Sequence, residues 1–513
     1  MIDYEIGGNM NRFYKRYSDL IFHLLNSNKW ISIAELSEKT EYSRSTIWRD
    51  LEILESIFPD GWILKKNENL GVRLIKPENG TLESLLTQIR EKNSYLHTLK
   101  LILLNDGVDI PQISQAVYIS RSTAYRHLEK LQEVVSEAGV TLTASPFKVI
   151  GDEKKIRRFI MQYLDFMSVE ANTIKDDSID TIKFQTDLLQ LFSKYSMSCR
   201  TGALQRLTMI LFISNFRVSM GHYISFPKNL INTYEGSKYF ELSKELVKYM
   251  AKCPTRDIQL QEILFFSIYI MSEERPLNRS QYINYIKKRM RSKKGFPLVK
   301  FLKCLSKYVG FNLSQDDIFL FHLSQTLKRI QVETEFETES SGNSMLQFLP
   351  YFETNPIFQV IEELAIESFS SVPLTIKKLD VLEIFSLLQS VVLRKWNQHT
   401  IQVALMCRTY NEKDYIREVL KYHFGNKVAI STLDPSSIDL LFKYEEFDLL
   451  ISTDIGDHTH MLIEHIPTIQ VSSFPTPSEL INIKHFIEQH FYGNLGIEPE
   501  LIYPYGIDEC PCL

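Results

Sequence analysis

The sequence contains a partial copy of itself. Displaced by 77 residues, Ser43-Arg44-Ser45-Thr46-Ile47-Trp48-Arg49-Asp50-Leu51-Glu52-Ile53-Leu54 falls on Ser120-Arg121-Ser122-Thr123-Ala124-Tyr125-Arg126-His127-Leu128-Glu129-Lys130-Leu131, and eight of the twelve positions are identical. Such self-similarity marks a structural unit used twice. Each copy has a similar approach, residues 31–37 in the first and 109–114 in the second. The pattern predicts a helix-turn-helix. Ile33 and Leu36 put apolar side chains on one face of a short helix, and the turn falls around 40–42. Ser43 then stands where an N-cap belongs, its hydroxyl placed to accept from the backbone N–H of Ser45 or Thr46. Ile47, Leu51 and Leu54 recur at helical spacing as a buried stripe, which leaves Arg44, Ser45, Trp48 and Arg49 on the outer face. The second copy repeats this with Ser120 as cap, Ala124, Leu128 and Leu131 inward, and Arg121, Ser122, Tyr125 and Arg126 outward.

In a helix-turn-helix the start of the second helix enters the major groove of DNA. Arginine there reaches guanine O6 and N7 or a phosphate, and Ser and Thr hydroxyls reach phosphates or base edges. The candidate DNA contacts are therefore Ser43, Arg44, Ser45, Thr46, Trp48 and Arg49, with Ser120, Arg121, Ser122, Thr123, Tyr125 and Arg126 in the second copy. Residues 61–75 read as a wing, two short strands around an Asn-rich hairpin, with Lys65, Lys66, Arg73 and Lys76 along the DNA backbone or the minor groove. The second wing, 140–151, carries only Lys148. The expected partner is double-stranded promoter DNA. Charge limits how it is held: residues 1–160 carry 22 Lys+Arg against 21 Asp+Glu, and the whole chain has a net charge of -5. Binding must come from a few local arginines, with modest salt dependence per module. Asp50, Glu52 and Glu55 would repel phosphates if they faced DNA.

With 513 residues the chain exceeds one hydrophobic core and divides into several domains. The longest apolar runs, such as 99–104, are far too short to span a membrane, and the acidic start Met1-Ile2-Asp3-Tyr4-Glu5 is no secretory signal. Six cysteines are scattered, and Cys510 and Cys512, one residue apart, cannot complete a tetrahedral metal site. A reduced, cytoplasmic chain without cofactor or metal is expected. Apolar residues at three- and four-residue spacing predict helices over 181–192, 203–220, 238–250, 262–271, 301–309, 316–330, 357–369 and 376–396, enough for two bundles. The bundles part near the basic run 287–295, read as a solvated linker, and 333–344 reads as a loop. Beyond residue 400 the character changes. Strands over 401–406, 427–431, 448–453 and 467–471 alternate with helices over 412–422, 437–443 and 478–490, which implies a small parallel sheet.

Two stretches in the bundles are more specific: Phe216-Arg217-Val218-Ser219-Met220-Gly221-His222, and Leu320-Phe321-His322-Leu323-Ser324-Gln325-Thr326-Leu327-Lys328-Arg329. With these motifs and its order of modules, the chain resembles the Mga/AtxA family of bacterial virulence regulators over nearly its whole length. The resemblance implies a mainly α, multidomain protein: winged helix-turn-helix modules over 1–80 and 81–160, phosphotransferase-system regulation (PRD-like) bundles over 161–286 and 287–398, an enzyme IIB-like α/β domain over 399–492 and a tail over 493–513. It further implies a homodimer, with His222 and His322 phosphorylated by an HPr-like phosphocarrier. The chemistry is sound, since neutral imidazole accepts a phosphoryl group near pH 7 and the added dianion can reorder a helix interface containing arginines. Cys407 stands where a IIB domain carries its phosphocysteine, but Cys407-Arg408-Thr409-Tyr410-Asn411-Glu412-Lys413-Asp414 lacks glycine and holds two acidic groups. A phosphate loop needs backbone N–H donors opening the next helix. The domain is therefore expected to serve as an interaction or dimerisation surface. The expected function is a DNA-binding transcriptional regulator, an activator of virulence-type genes and not an enzyme. The alternatives are a phosphoryl carrier of the phosphotransferase system using Cys407 and His222, or an RNA-binding antiterminator. The missing membrane domain weighs against the first, and the helical N-terminus against the second.

Overall fold

Side-chain caps divide the N-terminal region into short helices. The computed structural model describes residues 15–27, 29–167, 180–199, 201–250, 253–338, 348–432, 447–453 and 466–495. The first module comprises α1 (Lys15–Asn26), α2 (Ile33–Thr40) and α3 (Arg44–Ile57), followed by antiparallel strands β1 (Ile63–Asn67) and β2 (Gly71–Ile75). After α4 (Leu82–Glu91) the plan recurs as α5 (Ser94–Leu103), α6 (Ile110–Val117), α7 (Arg121–Glu137) and the antiparallel pair β3 (Thr141–Leu142) and β4 (Val149–Ile150). The repeat extends beyond the matched sequence. Ser32 caps α2 and Asp109 caps α6, and both helices end on a residue in the left-handed region, Glu41 at φ 60° and Tyr118 at φ 56°. Non-glycine residues rarely adopt that conformation, so the turn between the two helices is set by backbone geometry shared across different side chains. The first wing is tied to the start of α2, because Ile31 and Val72 exchange backbone hydrogen bonds of 2.9 Å each way. Beside them Gly71 has φ 93°, and a Cβ there would lie 2.2 Å from the Ile31 carbonyl oxygen, so glycine is required.

The helical middle contains α8 (Glu153–Phe166), α9 (Thr181–Lys194), β5 (Met197–Ser198), α10 (Thr201–Ser219), α11 (Lys228–Tyr234), α12 (Lys238–Leu246), α13 (Arg256–Glu273), β6 (Arg275–Pro276), α14 (Arg279–Met290) and α15 (Phe296–Tyr308). It continues as α16 (Asp317–Phe336), α17 (Leu349–Phe352), α18 (Pro356–Phe369) and α19 (Lys378–Gln398). Two sequence expectations change here. The basic run is not a linker: it is the last turn of α14 and a tight 3-10 turn, Lys293–Gly295. Residues 333–336 are not loop but the end of α16, because Glu333 is held by Arg329 one turn earlier at 2.9 Å. Residues 339–344 of that stretch lie outside the described residues.

Three arginines organise the interior of these helices. Arg157 on α8 bonds Glu262 on α13 at 2.6 and 2.8 Å and Glu153 at 3.0 Å, while Arg217 on α10 bonds Glu153 at 2.7 and 2.9 Å. Burial alone would raise the Glu153 carboxyl, but the hydrogen bond from Arg217 and the charge of Arg157 hold it below the usual range. Arg329 faces three carboxylates, Glu333, Asp380 at 2.6 Å and Glu383 at 2.8 Å. There burial wins: Asp380 is pushed up despite Arg329, with Glu333 adding to the rise.

The chain forms two compact units, one reaching Leu298 and taking in Phe321–Ile384, the other made of Val299–Leu320 and the chain from Phe385. In the first, a continuous apolar core runs from Leu20 on α1 through both modules to Phe336. The second holds a four-stranded parallel sheet ordered β10-β9-β7-β8, built from β7 (Ile401–Met406), β8 (Val428–Thr432), β9 (Leu449–Ser452) and β10 (Thr468–Gln470). Helices α20 (Tyr410–Phe424) and α21 (Pro477–Leu495) pack Ile416, Leu420, Ile483 and Ile487 against Ile401, Val403 and Leu405. The helix expected at 437–443, Cys510, Cys512 and the tail beyond Leu495 lie outside the described residues.

Candidate nucleic-acid interface

The two exposed helices start alike at the level of individual atoms. In α3 the Ser43 hydroxyl accepts from the Thr46 N–H at 3.2 Å and lies 3.0 Å from the Ser45 hydroxyl and 2.8 Å from that of Thr46. In α7 Ser120 repeats this with Thr123 N–H at 3.1 Å, Ser122 at 2.9 Å and Thr123 Oγ1 at 2.8 Å. Ile47, Leu51 and Leu54 are fully buried, as are Ala124 and Leu131, with Leu128 nearly so. This fixes the opposite face outward. Arg44, Ser45 and Arg49 are exposed and Trp48 is 40% exposed. Arg121, Ser122 and Arg126 are exposed and Tyr125 is 60% exposed. Each helix thus presents two arginines, a serine and an aromatic ring on its first turns, beside a helix N-terminus that attracts phosphate. Thr46 and Thr123 are half-buried, held under their caps.

The wings differ. In the first, Lys65 and Arg73 are cross-strand partners and both are exposed. Lys66 is tied to Glu55 at 2.5 Å, so it is less available than Lys65 as a free cation. Arg44, Trp48, Lys66 and Asn69 frame a cleft of about 410 Å³ between recognition helix and wing. Asp50 does not face this surface. It is 1% exposed and bonded by Arg16 of α1 at 2.8 and 3.1 Å, so its charge is spent inside the module. Arg16 lies outside the repeat, and the signal for it was an acid on the buried stripe that required a cation. Position 127 of the second module, equivalent to Asp50, is histidine. His127 Nδ1 lies 3.1 Å from Thr98 Oγ1, its ring meets Tyr95 edge-on, and burial lowers its pKa, helped by Lys130 and Arg126. In the second wing Lys148 turns toward its own module, 3.6 Å from Asp106.

Comparison with known proteins agrees with this geometry. A helix-turn-helix domain family matches residues 16–66, and the Mga helix-turn-helix domain matches residues 78–164. The resemblance to the Mga/AtxA family holds. Among its relatives is a candidate trans-acting regulator of Streptococcus pneumoniae, 22% identical over 81% of this chain and 86% of that protein. The capsule synthesis positive regulator AcpB of Bacillus anthracis is 20% identical over 93% and 99%, and the anthrax toxin expression trans-acting positive regulator of the same organism is 20% identical over 91% and 97%. The two Bacillus anthracis relatives are aligned over more than nine-tenths of the chain, and so beyond the two modules.

The positions singled out by the Mga/AtxA resemblance fall in three different settings. His222 follows the end of α10 and Gly221 at φ 81°; its side chain is 32% exposed and Nε2 lies 3.2 Å from Asp106 Oδ1. Slight burial would raise the Asp106 carboxyl, but His222 and Lys148 hold it below its ordinary range. The His222 carbonyl accepts from Arg157 at 3.3 Å, which links this histidine to the buried arginine cluster. His322 sits within α16, half-buried, its ring edge-on to Phe321. Cys407 follows β7, at the point where strand order reverses and open α/β sheets bind ligands. That crevice already holds an anion. The Glu412 carboxylate accepts from Thr453 Oγ1 at 3.3 Å and Ser473 Oγ at 2.8 Å, and those hydroxyls with the loop backbone keep its pKa low. Burial and Glu412 together raise the Cys407 thiol. Among the described residues no helix is long and apolar enough to cross a membrane, and no cluster of His, Cys, Asp and Glu is suited to a metal ion.

Proposed function

We propose that this protein is a DNA-binding transcriptional regulator that activates virulence-type genes and reads DNA with the helices beginning at Arg44 and Arg121. The carrying observation is the doubled face of arginine, serine and aromatic side chains, held outward by two copies of one cap and one apolar stripe. Relatives named as positive regulators of capsule and toxin expression support the activator role. Arg44, Arg49, Arg121 and Arg126 make base or phosphate contacts, Ser45 and Ser122 bond phosphates, and Lys65 and Arg73 follow the backbone. The chain acts as a cytoplasmic homodimer on paired half-sites, with the bundles and the sheet domain as regulatory and assembly surfaces.

Control runs through histidine phosphorylation by an HPr-like phosphocarrier. A phosphoryl group on His222 Nε2 places a dianion against Asp106 and within reach of Lys148, both in the second module. Repulsion from the carboxylate and attraction to the lysine shift that module relative to α10, a local charge event with a consequence for DNA reading. His322 is the second acceptor, inside the other bundle. Phosphotransfer through Cys407 is disfavoured, since Glu412 fills the place a phosphate would take.

The test is selection of genomic fragments by the full-length protein, followed by anisotropy titration of the recovered sequence. Arg49→Ala is expected to weaken binding at least about tenfold with unchanged far-ultraviolet dichroism. Undiminished binding refutes the assignment. Labelling with phosphoenolpyruvate, the phosphocarrier and the enzyme that loads the phosphocarrier should mark wild type, and less so His222→Ala.

A further inference from the structure

The basic run near residue 290 lies outside both helix-turn-helix modules. Its helix end and tight turn instead close one side of a cavity of about 570 Å³ within the first unit. The turn depends on Gly295, where a Cβ would lie 2.3 Å from the Arg289 carbonyl oxygen. It sets Arg289 and Lys294 on the same rim. Across from them stand Lys238 of α12 and Lys328 of α16. One carboxylate faces these four cations: Glu274 is 7% exposed, pairs with Lys238 at 2.8 Å and with Lys328, and accepts from the Tyr239 hydroxyl at 3.1 Å. The remaining wall is aromatic and apolar, with Tyr282 and Tyr285 on α14 and Leu327 on α16. None of the histidines or arginines assigned above lines it.

We propose that this cavity binds a small organic phosphate, of sugar-phosphate to mononucleotide size, as an effector. The volume falls in the range of small-molecule sites and is far below what a duplex or a folded partner needs. Four cations around a single carboxylate leave an excess positive charge in a concave setting, which concentrates anions. Arg289 and Lys294 are exposed, and the cavity carboxylate, Glu274, is paired with Lys238 and Lys328 instead, so the exposed pair supplies the phosphate contacts. Tyrosine rings and hydroxyls suit either the C–H face and hydroxyls of a sugar or the plane of a base. Burial also draws the Lys328 amine below its usual range in spite of Glu274, as expected of a site where further negative charge is welcome. The ligand would bridge α12, α14 and α16, and so couple its own concentration to the packing of α16, the helix that carries both His322 and Arg329.

Calorimetric titration of the full chain with glucose 6-phosphate, adenosine monophosphate and inorganic phosphate tests this independently of DNA binding. One of the two organic phosphates should bind saturably with Kd below about 1 mM, and which of them does so assigns a sugar phosphate or a nucleotide. The double variant Arg289→Ala/Lys294→Ala, both positions exposed, should weaken that binding about tenfold or more without altering dichroism or DNA affinity measured in ligand-free buffer. Tyr285→Ala should weaken the organic ligand alone. The proposal falls if neither organic phosphate gives heat, if inorganic phosphate binds as tightly as both, or if the double variant binds unchanged.

Discussion

The two helix-turn-helix modules share a surface and differ underneath. The cap hydrogen bonds agree to about 0.1 Å and the turn and outward arginines recur, yet the first module is locked by an ion pair, Asp50 with Arg16, and the second by a neutral contact, His127 with Thr98. The first wing has five-residue strands and three basic side chains, while the second has two-residue strands and a lysine turned back to Asp106. The difference teaches that what must be kept for reading a groove is the cap and the apolar stripe. The interior partner and the wing are free to specialise, one module for grip and the other for regulation.

The largest expected effect separates the wings. Gly71→Ala forces a side chain into the left-handed region and against the Ile31 carbonyl, and should cost about 3 kcal/mol or more. Lys148 in the second wing already carries a side chain and makes only a 3.6 Å contact with Asp106, so Lys148→Ala should change stability by no more than about 0.5 kcal/mol. Calorimetry of both variants checks this, and equal losses would break the contrast. Next in size is DNA binding. Arg49→Ala and Arg126→Ala should each lose about 1–3 kcal/mol, with the larger loss in the first module, where the longer wing holds the duplex in place. A larger loss at Arg126, which leans on Thr123 at 3.4 Å, would reverse the assignment of grip.

Much of this surface was legible because its causes are local. A serine cap and a stripe at helical spacing act within a dozen residues, and the repeat displayed them twice. Arg16 was only half legible: the place of Asp50 on the buried stripe called for a cation, but nothing local says that it comes from 34 residues away. The same holds for the basic run, whose charges suggest solvent. Its turn is dictated by the close approach of Gly295 to Arg289, which only coordinates reveal. The Cys407 loop was half legible: its missing glycines and two acids were plain, but that Glu412 occupies the crevice depends on Thr453 and Ser473 arriving from other strands.

The third expectation concerns pH. In the unfolded chain an imidazole titrates near 6.5, whereas burial lowers His127 in the folded module. Between the folded value and 6.5 the unfolded state therefore binds the extra proton, and stability rises with pH. The contribution is complete above 6.5 and is lost as pH falls through the folded value. Hydrogen exchange at amides of α7 should accordingly speed up as pH is lowered through this window, after correction for intrinsic rates, and His127→Gln should flatten the response. Amides of α3, whose module has no imidazole at the equivalent place, should show no such step.

The smallest effect is the most discriminating test of how the first wing works. Each phosphate contact contributes about 0.9 to the slope of log affinity against log salt, so Lys65→Ala and Arg73→Ala should each lower the slope by about that amount. Lys66 has the same charge and a neighbouring position, but its ammonium is paired with Glu55 at 2.5 Å. Whatever it gives to a phosphate it must first take from that carboxylate, so Lys66→Ala should lower the slope by clearly less, while Glu55→Gln frees the lysine and should raise it. If Lys66→Ala matched Arg73→Ala, the pair must open on binding, and the wing would grip with three cations in place of two. If none of the three variants moved the slope, the wing would not touch DNA, and its greater length in the first module would play no part in grip.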